Sequence, residues 1–552
     1  MRKISTFWAA LLVLCATAII TEARDKGGDN NTQRKAAGVY DMQKSTAGNV
    51  ELYHTNYGIL GFEPQKNTGG GYWPRGSQNQ YIYGSGLWFG AQKQSPDGTG
   101  LKNYVEIGYN PNNGLSWFVP GMVADGEKAS EDLKDKYRLY FSTDFNEDNG
   151  APIYAEDGPN WPLWISDTAK KYHYGAYKHD YVGDIAERNT AAYPLGPLYV
   201  SDEDILSIYK DTDLEKYEGG AAKRKAQGYP LGLEIRTNVY SWDKEDMKDI
   251  VIVSQMIKNT SQETLYNCWA AGFYDIDLVY TPSGPIGASN DRAKFFTEDE
   301  SLNLGVAWTE TTQGEDGRNF GYIGISILES PAVDGSGFIR NDKLIYDPDE
   351  QLGLKTFSTY NIAEDILGDD ERYNYMSKMT KDEDTGPSDK RMFLATGPFN
   401  MKPGDVARVT FAINFAMPAK GGEADGTLED IEGLKGKAYN SGNAPQSQEY
   451  NNSLTGALKL AKDRYYNVIL PTIVQNDNYN KANIDIYPNP AGDYIYIRNF
   501  PESNYGSDYY IYSIEGIIAG SGKTASRIDI SSLPAGFYQF RSGQLRINFI
   551  KM

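Results

Sequence analysis

The chain has 552 residues, with 54 basic against 74 acidic side chains and a formal net charge of −20. That balance excludes holding nucleic acid or an anionic membrane by charge, and it favours cations as ligands. Two cysteines leave no disulfide framework in so long a chain, while 42 Tyr, 57 Gly and 13% aromatic residues describe many strands joined by tight turns.

Arg2 and Lys3 precede an apolar run from Phe7 to Ile20, and Thr21-Glu22-Ala23 follows. This charged, apolar and small-residue order predicts a secretory signal peptide over 1–23, cleaved after Ala23 or after Ala18. A lipoprotein site is disfavoured because Leu14 precedes Cys15. The run is about 14 residues, short of the roughly 20 that cross a bilayer, and no comparable stretch occurs later. The mature chain is therefore expected to lack a transmembrane segment. Cys268 is then its single thiol. Residues 24–37 lack apolar periodicity and read as a mobile tail.

Residues 38–230 read as a sheet-rich N-terminal region carrying an irregular acidic insertion. Tyr81-Ile-Tyr83, Leu87-Trp-Phe89 and Tyr104-Val-Glu-Ile107 are strand-like and are separated by Gly69-Gly-Gly71, Trp73-Pro74 and Asp97-Gly98. In SDEDILSIYKD, Ser201 as cap, Asp204 at the reciprocal position and Ile205 with Ile208 on one face predict a short helix.

Residues 231–470 read as a central β-sandwich-like body. LGLEIRTNVYSW, DIVIVSQMIKN and TLYNCWAAGFYDIDLVY are strands, and RMFLATGPF with ARVTFAINFAM reads as a hairpin turning at Pro403-Gly404. Leu454, Ala457, Leu458, Ala461 and Tyr465 recur at helical spacing, which predicts one amphipathic helix within about 453–469. A polar linker, 471–483, follows. From Ile484 to the last residue, short alternating strands broken by Asn-Pro, Gly-Asp, Glu-Gly and Pro-Ala-Gly predict a small Ig-like β-sandwich. The fold class is mainly β and multi-domain, with one late helix.

Several groups are candidates for chemistry. Asp275 and Asp277, two apart on a strand, project to one side, and Asn290 and Asp291 follow on a polar loop that could complete a calcium shell. The competing readings are solvated or turn-capping carboxylates with Arg292 as partner, and a carboxylate pair for glycoside hydrolysis. Asp144, Asn146 and Asp148 resemble the opening of a calcium loop, but Gly150 comes one place late and Ala155 stands where a Glu is wanted, with Glu156 adjacent. Calcium is the one cofactor these residues suggest. Against each cation reading stands an ordinary acidic turn.

His173 and His179 are six apart, without the four-residue spacing of a helical zinc pair, and no Gly-x-Ser-x-Gly elbow accompanies any histidine. Cys268 beside Trp269 in a strand reads as a buried structural thiol. Trp73, Trp88, Trp117, Trp161 and Trp164, in segments rich in Gly, Pro and Asn, suggest stacking on sugar rings, with core filling as the alternative. Asp167-Thr168-Ala169 fits a short O-glycosylation motif.

Tyr487-Pro488-Asn489-Pro490 with Asp493, then Tyr512 to Gly516, then Leu533, Gly536 and Tyr538 in Ile530-Ser-Ser-Leu-Pro-Ala-Gly-Phe-Tyr538, and Lys551 in the final strand closely resemble the type A C-terminal sorting domain of type IX secretion cargo, as found in Bacteroidota. The resemblance implies the type IX secretion machinery as partner and delivery outside the cell, either by release or by attachment to surface glycolipid. GSGLWFGA (84–91), YPLGLEI (229–235), FYDIDL (273–278), NDR (290–292) and ATGPFNMKPGD (395–405) are similar to exported proteins bearing that domain, which implies no particular activity. The expectation is an exported, non-catalytic envelope component or adhesin, stabilised by calcium. The alternatives are a secreted carbohydrate-active enzyme and a glycan-binding module.

Overall fold

Runs of β-branched and aromatic residues, punctuated by Gly, Pro and Asn, give a body built almost wholly of strands. The computed structural model describes residues 38–141, 201–216, 220–243, 246–284, 287–310, 313–315, 320–340, 347–418, 424–431, 453–470, 485–498, 506–514, 517–525, 527–542 and 545–552. Within these, two nine-stranded sheets pack face to face.

The first sheet runs Met42–Lys44, Glu51–Thr55, Ile59–Leu60, Asn79–Gln94, Leu265–Tyr280, Lys390–Met401, Thr356–Asn361, with Gly71–Tyr72 and Leu101–Ile107 paired beside this path. The second runs Tyr140–Phe141, Glu203–Lys210, Leu233–Ser241, Ile250–Asn259, Val406–Ala416, Tyr322–Glu329, Leu304–Thr309, Asp291–Phe295, with Val119–Pro120 against Glu203–Lys210. Their inner faces interdigitate closely. A Cβ on Gly272 of the first sheet would come within 2.9 Å of the Phe411 ring of the second.

The residues expected to form a separate N-terminal region belong to this same sandwich. Asn79–Gln94 pairs with Leu265–Tyr280, setting Gly86 against Phe273 and Trp88 against Ala271, and Glu203–Lys210 pairs with Leu233–Ser241. The division expected at residue 230 is therefore not a domain boundary.

The helix expected at 201–211 is also corrected. Glu203–Lys210 is a strand buried along its whole length. Its Ile205, Ile208 and Tyr209 prefer a pleated surface once both edges are paired, so tertiary pairing overrides local helix signals. The reciprocal contact itself survives, with the Ser201 amide donating to Asp204 Oδ1 at 3.0 Å ahead of the strand.

The Pro403-Gly404 turn forms, with the Asp405 amide donating to the Lys402 carbonyl at 3.0 Å and Gly404 at φ +86°. Its two arms do not make the expected hairpin. Lys390–Met401 lies in the first sheet and Val406–Ala416 in the second, so the turn crosses the sandwich. The segment after Asn259 crosses in the same way, from Ile250–Asn259 to Leu265–Tyr280. Each of these strands buries both faces, so hydrophobic alternation could not show which neighbour it pairs with.

The helix Leu454–Arg464 continues as a π-helical turn over Tyr465–Ile469 and covers the outer face of the second sheet. Ser453 caps it by accepting from the Gly456 amide at 3.0 Å, and Leu454, Ala457, Leu458, Ala461 and Tyr465 are buried on the face the spacing predicts. The shorter helix Asp369–Met376 covers the outer face of the first sheet. There Tyr373 and Met376 fit against Gly90, where a Cβ would sit 3.1 Å from each.

Residues from Asp485 onward form a separate small core of Ile486, Ile495, Ile511, Ile528, Phe540 and Phe549 between a three-stranded and a four-stranded sheet. Among the described residues no helix is long and apolar enough to cross a membrane.

Trp88 sits at the centre of the first sheet, stacked on Phe273 at 4.7 Å with rings 2° apart, and its Nε1 donates to the Tyr109 carbonyl at 3.0 Å. Trp88→Ala is expected to cost about 3–5 kcal/mol of stability, read from the midpoint of chemical denaturation.

Candidate functional site

Asp275 and Asp277 fall two apart near the end of Leu265–Tyr280, and both side chains project to the outer face of the first sheet, as the spacing requires. Across the ladder Asp275 pairs with Arg391 and Ile276 with Lys390. One residue further, the same register sets Asp277 opposite Asp389. Carboxylate oxygens of Asp275, Asp277 and Asp389 all lie within 4.8 Å of one another.

Arg391 is the counter-charge that the sequence reading missed. Its guanidinium, 2% exposed, contacts Asp275, reaches Asp389 Oδ1 at 2.9 Å and lies 3.3 Å from Asp365 Oδ1. The expected partner, Arg292, is instead held by Glu310 and Asp384. Only the strand register could have revealed the true pairing, because the partners are 116 residues apart in sequence.

Tyr109 closes the site from above, its hydroxyl donating to Asp275 Oδ2 at 3.3 Å. The ring fits because residue 84 is glycine: a Cβ there would lie 2.3 Å from Tyr109 Cζ. Asp277 is half-buried; its Oδ2 is 3.5 Å from Gln80 Nε2, and its Oδ1 is enclosed without a hydrogen-bond partner.

Burial raises the Asp275 carboxyl well above the usual range against the pull of Arg391, with Asp277, Asp389 and Asp365 adding to the rise. Burial, and then the charge of Asp389, push Asp277 up to about 7. Asp389 is raised by burial, while Arg391 opposes. Burial pulls the Arg391 guanidinium down, but the carboxylates around it outweigh that and leave it raised. Asp275, Asp277, Asp365 and Asp389 thus surround a single guanidinium, an excess of negative charge in a poorly solvated corner.

Of the other candidate ligands, Asp291 is fully buried beside this corner. Its Oδ2 accepts the Leu278 amide at 3.0 Å, and burial, reinforced by Asp277 and Asp389, raises its carboxyl. The Asn290 carbonyl accepts the Glu310 amide at 3.3 Å. Asp144, Asn146, Asp148, His173, His179, Trp161 and Trp164 lie outside the described residues.

The sugar-stacking reading is corrected for three tryptophans. Trp73, Trp88 and Trp117 are 0%, 0% and 2% exposed, and their faces are occupied from within. Trp73 stacks on Phe415 at 5.5 Å, Trp88 on Phe273, and Trp117 lies under the Arg224 and Arg372 guanidinium groups at 4.7 and 5.1 Å. Cys268 is fully buried, and burial pushes its thiol up, away from nucleophile chemistry.

Between the two sheets lies a small cavity of about 10 Å³ lined by His54, Ser207, Tyr209, Thr237 and Gln255. Both His54 ring nitrogens lack a hydrogen-bond partner, and burial, with the charge of Arg75, lowers its pKa to about 3.

The motif residues of the C-terminal module converge on its last strand. Asn489 Oδ1 accepts the Ile550 amide at 2.9 Å, Asp493 Oδ1 lies 3.5 Å from Lys551 Nζ, and the Asp493 carbonyl accepts the Ile530 amide at 2.8 Å. Tyr487, half-exposed and preceding Pro488, stacks on Tyr496 at 5.4 Å, and the chain after Pro490 bridges from Ala491 to Lys551. Leu533 is buried, Gly536 pairs with Lys551, and the Tyr538 hydroxyl donates to the Pro534 carbonyl at 2.9 Å. Gly516 lies outside the described residues.

Residues 485–547 match the family model of the secretion system C-terminal sorting domain. This chain is type IX secretion cargo. The sorting domain implies contact with the type IX machinery and places the cargo in the medium or on the outer-membrane surface. No curated protein matches the cargo chain. Among solved structures, a polysaccharide lyase aligns at 8% identity with a TM-score of 0.16, covering 58% of this chain and 34% of the lyase, so the cargo spans about a third of that enzyme's length.

Two predictions follow from these geometries. Arg391→Met strips the counter-charge from buried carboxylates and is expected to cost about 3–5 kcal/mol at neutral pH, measured by denaturant titration. For His54, both states are neutral above the unfolded pKa of about 6.5. Below it the unfolded chain takes up a proton that the folded chain refuses until about 3, so stability is lost as pH falls through that window. Between pH 7 and 5 the wild type should lose about 2 kcal/mol more than His54→Gln, since the acidic groups contribute equally to both proteins.

Proposed function

We propose that this chain is an exported, non-catalytic protein of the cell surface or medium, an envelope component or adhesin whose two-sheet body is a rigid carrier. The observation that carries the reading is the sorting domain at 485–547, which supplies an address without chemistry. Two features of the body support it. Asp275 spends both carboxylate oxygens on Arg391 and Tyr109, and Trp73, Trp88 and Trp117 spend their faces on neighbours in the core.

Export ends with removal of the sorting domain near 471–483 and either release of the body or its attachment to surface glycolipid. The body, collected from the medium, should release no new reducing ends from a panel of bacterial and host polysaccharides. Sugar release above that of a heat-inactivated control would overturn the reading in favour of a carbohydrate-active enzyme. Glycan-array binding that calcium supports and chelator abolishes assigns the adhesin role, and no binding in either condition assigns the envelope role.

A further inference from the structure

The cavity between the two sheets is small, yet polar residues line it from both sides. His54 belongs to Glu51–Thr55 of the first sheet, while Ser207, Tyr209, Thr237 and Gln255 come from three neighbouring strands of the second. The second sheet's side is bonded within itself. Gln255 Nε2 donates to the Tyr209 hydroxyl at 3.2 Å, and that hydroxyl lies 2.8 Å from Thr237 Oγ1. Gln255 Oε1 is left over, enclosed and without a hydrogen-bond partner among the protein groups. On the first sheet's side His54 is 1% exposed, and neither its Nδ1 nor its Nε2 meets a protein donor or acceptor.

A neutral imidazole carries one N–H donor and one acceptor nitrogen, and an amide oxygen accepts. Enclosing such atoms unbonded costs free energy, so buried polar groups almost always meet either a protein group or a fixed water. The cavity that both residues line measures about 10 Å³. A single water requires roughly that much space together with two or more polar partners, and the cavities that stay dry are apolar.

We propose that this cavity is a binding site for one water molecule, which bridges a ring nitrogen of His54 to Gln255 Oε1 and so ties Glu51–Thr55 to the second sheet. Water suits this pair because it donates and accepts at once. One of its protons goes to Gln255 Oε1, and its other side either accepts the imidazole N–H or donates to the bare ring nitrogen. An ion does not suit it: no carboxylate, thiolate or ammonium group lines the cavity, and a charge held so deep needs a counter-charge. Anything larger than water is excluded by the volume. The tie matters to this strand in particular. Glu51–Thr55 is held within its own sheet by the short neighbours Met42–Lys44, Ile59–Leu60 and Gly71–Tyr72, and a bond across the sandwich adds an anchor that the ladder does not supply.

The test is a high-resolution crystal structure of the full chain, with magnetic relaxation dispersion of the solvent as a count of long-lived internal waters in solution. Wild type is expected to show one ordered water within hydrogen-bond distance, about 2.7–3.2 Å, of both a His54 ring nitrogen and Gln255 Oε1. His54→Phe replaces the ring nitrogens with carbon and should lose that water, lowering the solution count by one. Gln255→Met keeps the side chain's length, removes the amide oxygen and should lose the same water, so the test stands even if His54→Phe does not fold. The proposal is overturned if the wild-type cavity is dry in well-ordered density, if the solvent peak does not touch both residues, or if Gln255→Met keeps the full count of long-lived waters.

Discussion

Two chain crossings, locked together at Asn259, hold this sandwich in register. Asn259 is fully buried, its amide donates to the Asp405 carbonyl at 3.0 Å, and its carbonyl accepts the Gly404 amide at 2.7 Å. Its side-chain Nδ2 bonds the carbonyls of Glu263 and Met401 at 2.8 and 3.2 Å. One residue thus joins both turns that carry the chain from one sheet to the other. The interior can pack at crystal-like density only if the two sheets keep a fixed offset, and this lock sets it. The acidic corner on the outer face of the first sheet takes its geometry from the pairing of Leu265–Tyr280 with Lys390–Met401, the two strands that these crossings join to the second sheet.

Sequence reading reached the class of fold, the long strands between 231 and 280, the Pro403-Gly404 turn and the face of the late helix, because each leaves a local signal. It failed where the deciding partner is remote. Glu203–Lys210 looks helical in isolation and becomes a strand because Leu233–Ser241 lies beside it. The hairpin expected across Pro403-Gly404 was a sheet crossing, since a strand apolar on both faces gives no sign of which neighbour it pairs with. Asp275 and Asp277 were legible as a same-side pair, but Asp389, Asp365 and Arg391 were not, because only the folded chain brings residues so remote in sequence to one corner, Asp275 and Arg391 being 116 apart. The tryptophans misled for a related reason: Gly and Pro around them mark close backbone approach within the core as readily as loops.

The acidic corner and the glycines opposite it form one design. Gly84 admits the Tyr109 ring, which shields Asp275 from water, and shielding is what makes the surplus of carboxylates energetically significant. An exposed corner of the same composition would be screened and inert. The phrase GSGLWFGA is here a set of clearances: Gly84 for Tyr109, Gly86 for the Gly108–Tyr109 backbone, and Gly90 for Met376 and Tyr373.

The sorting module closes on itself in an order that matters for biosynthesis. Its opening motif is held by its last strand, Asn489 by Ile550 and Asp493 beside Lys551. A ribosome delivers residues 545–551 after the segments they clasp, so the module can close only once this strand has been made.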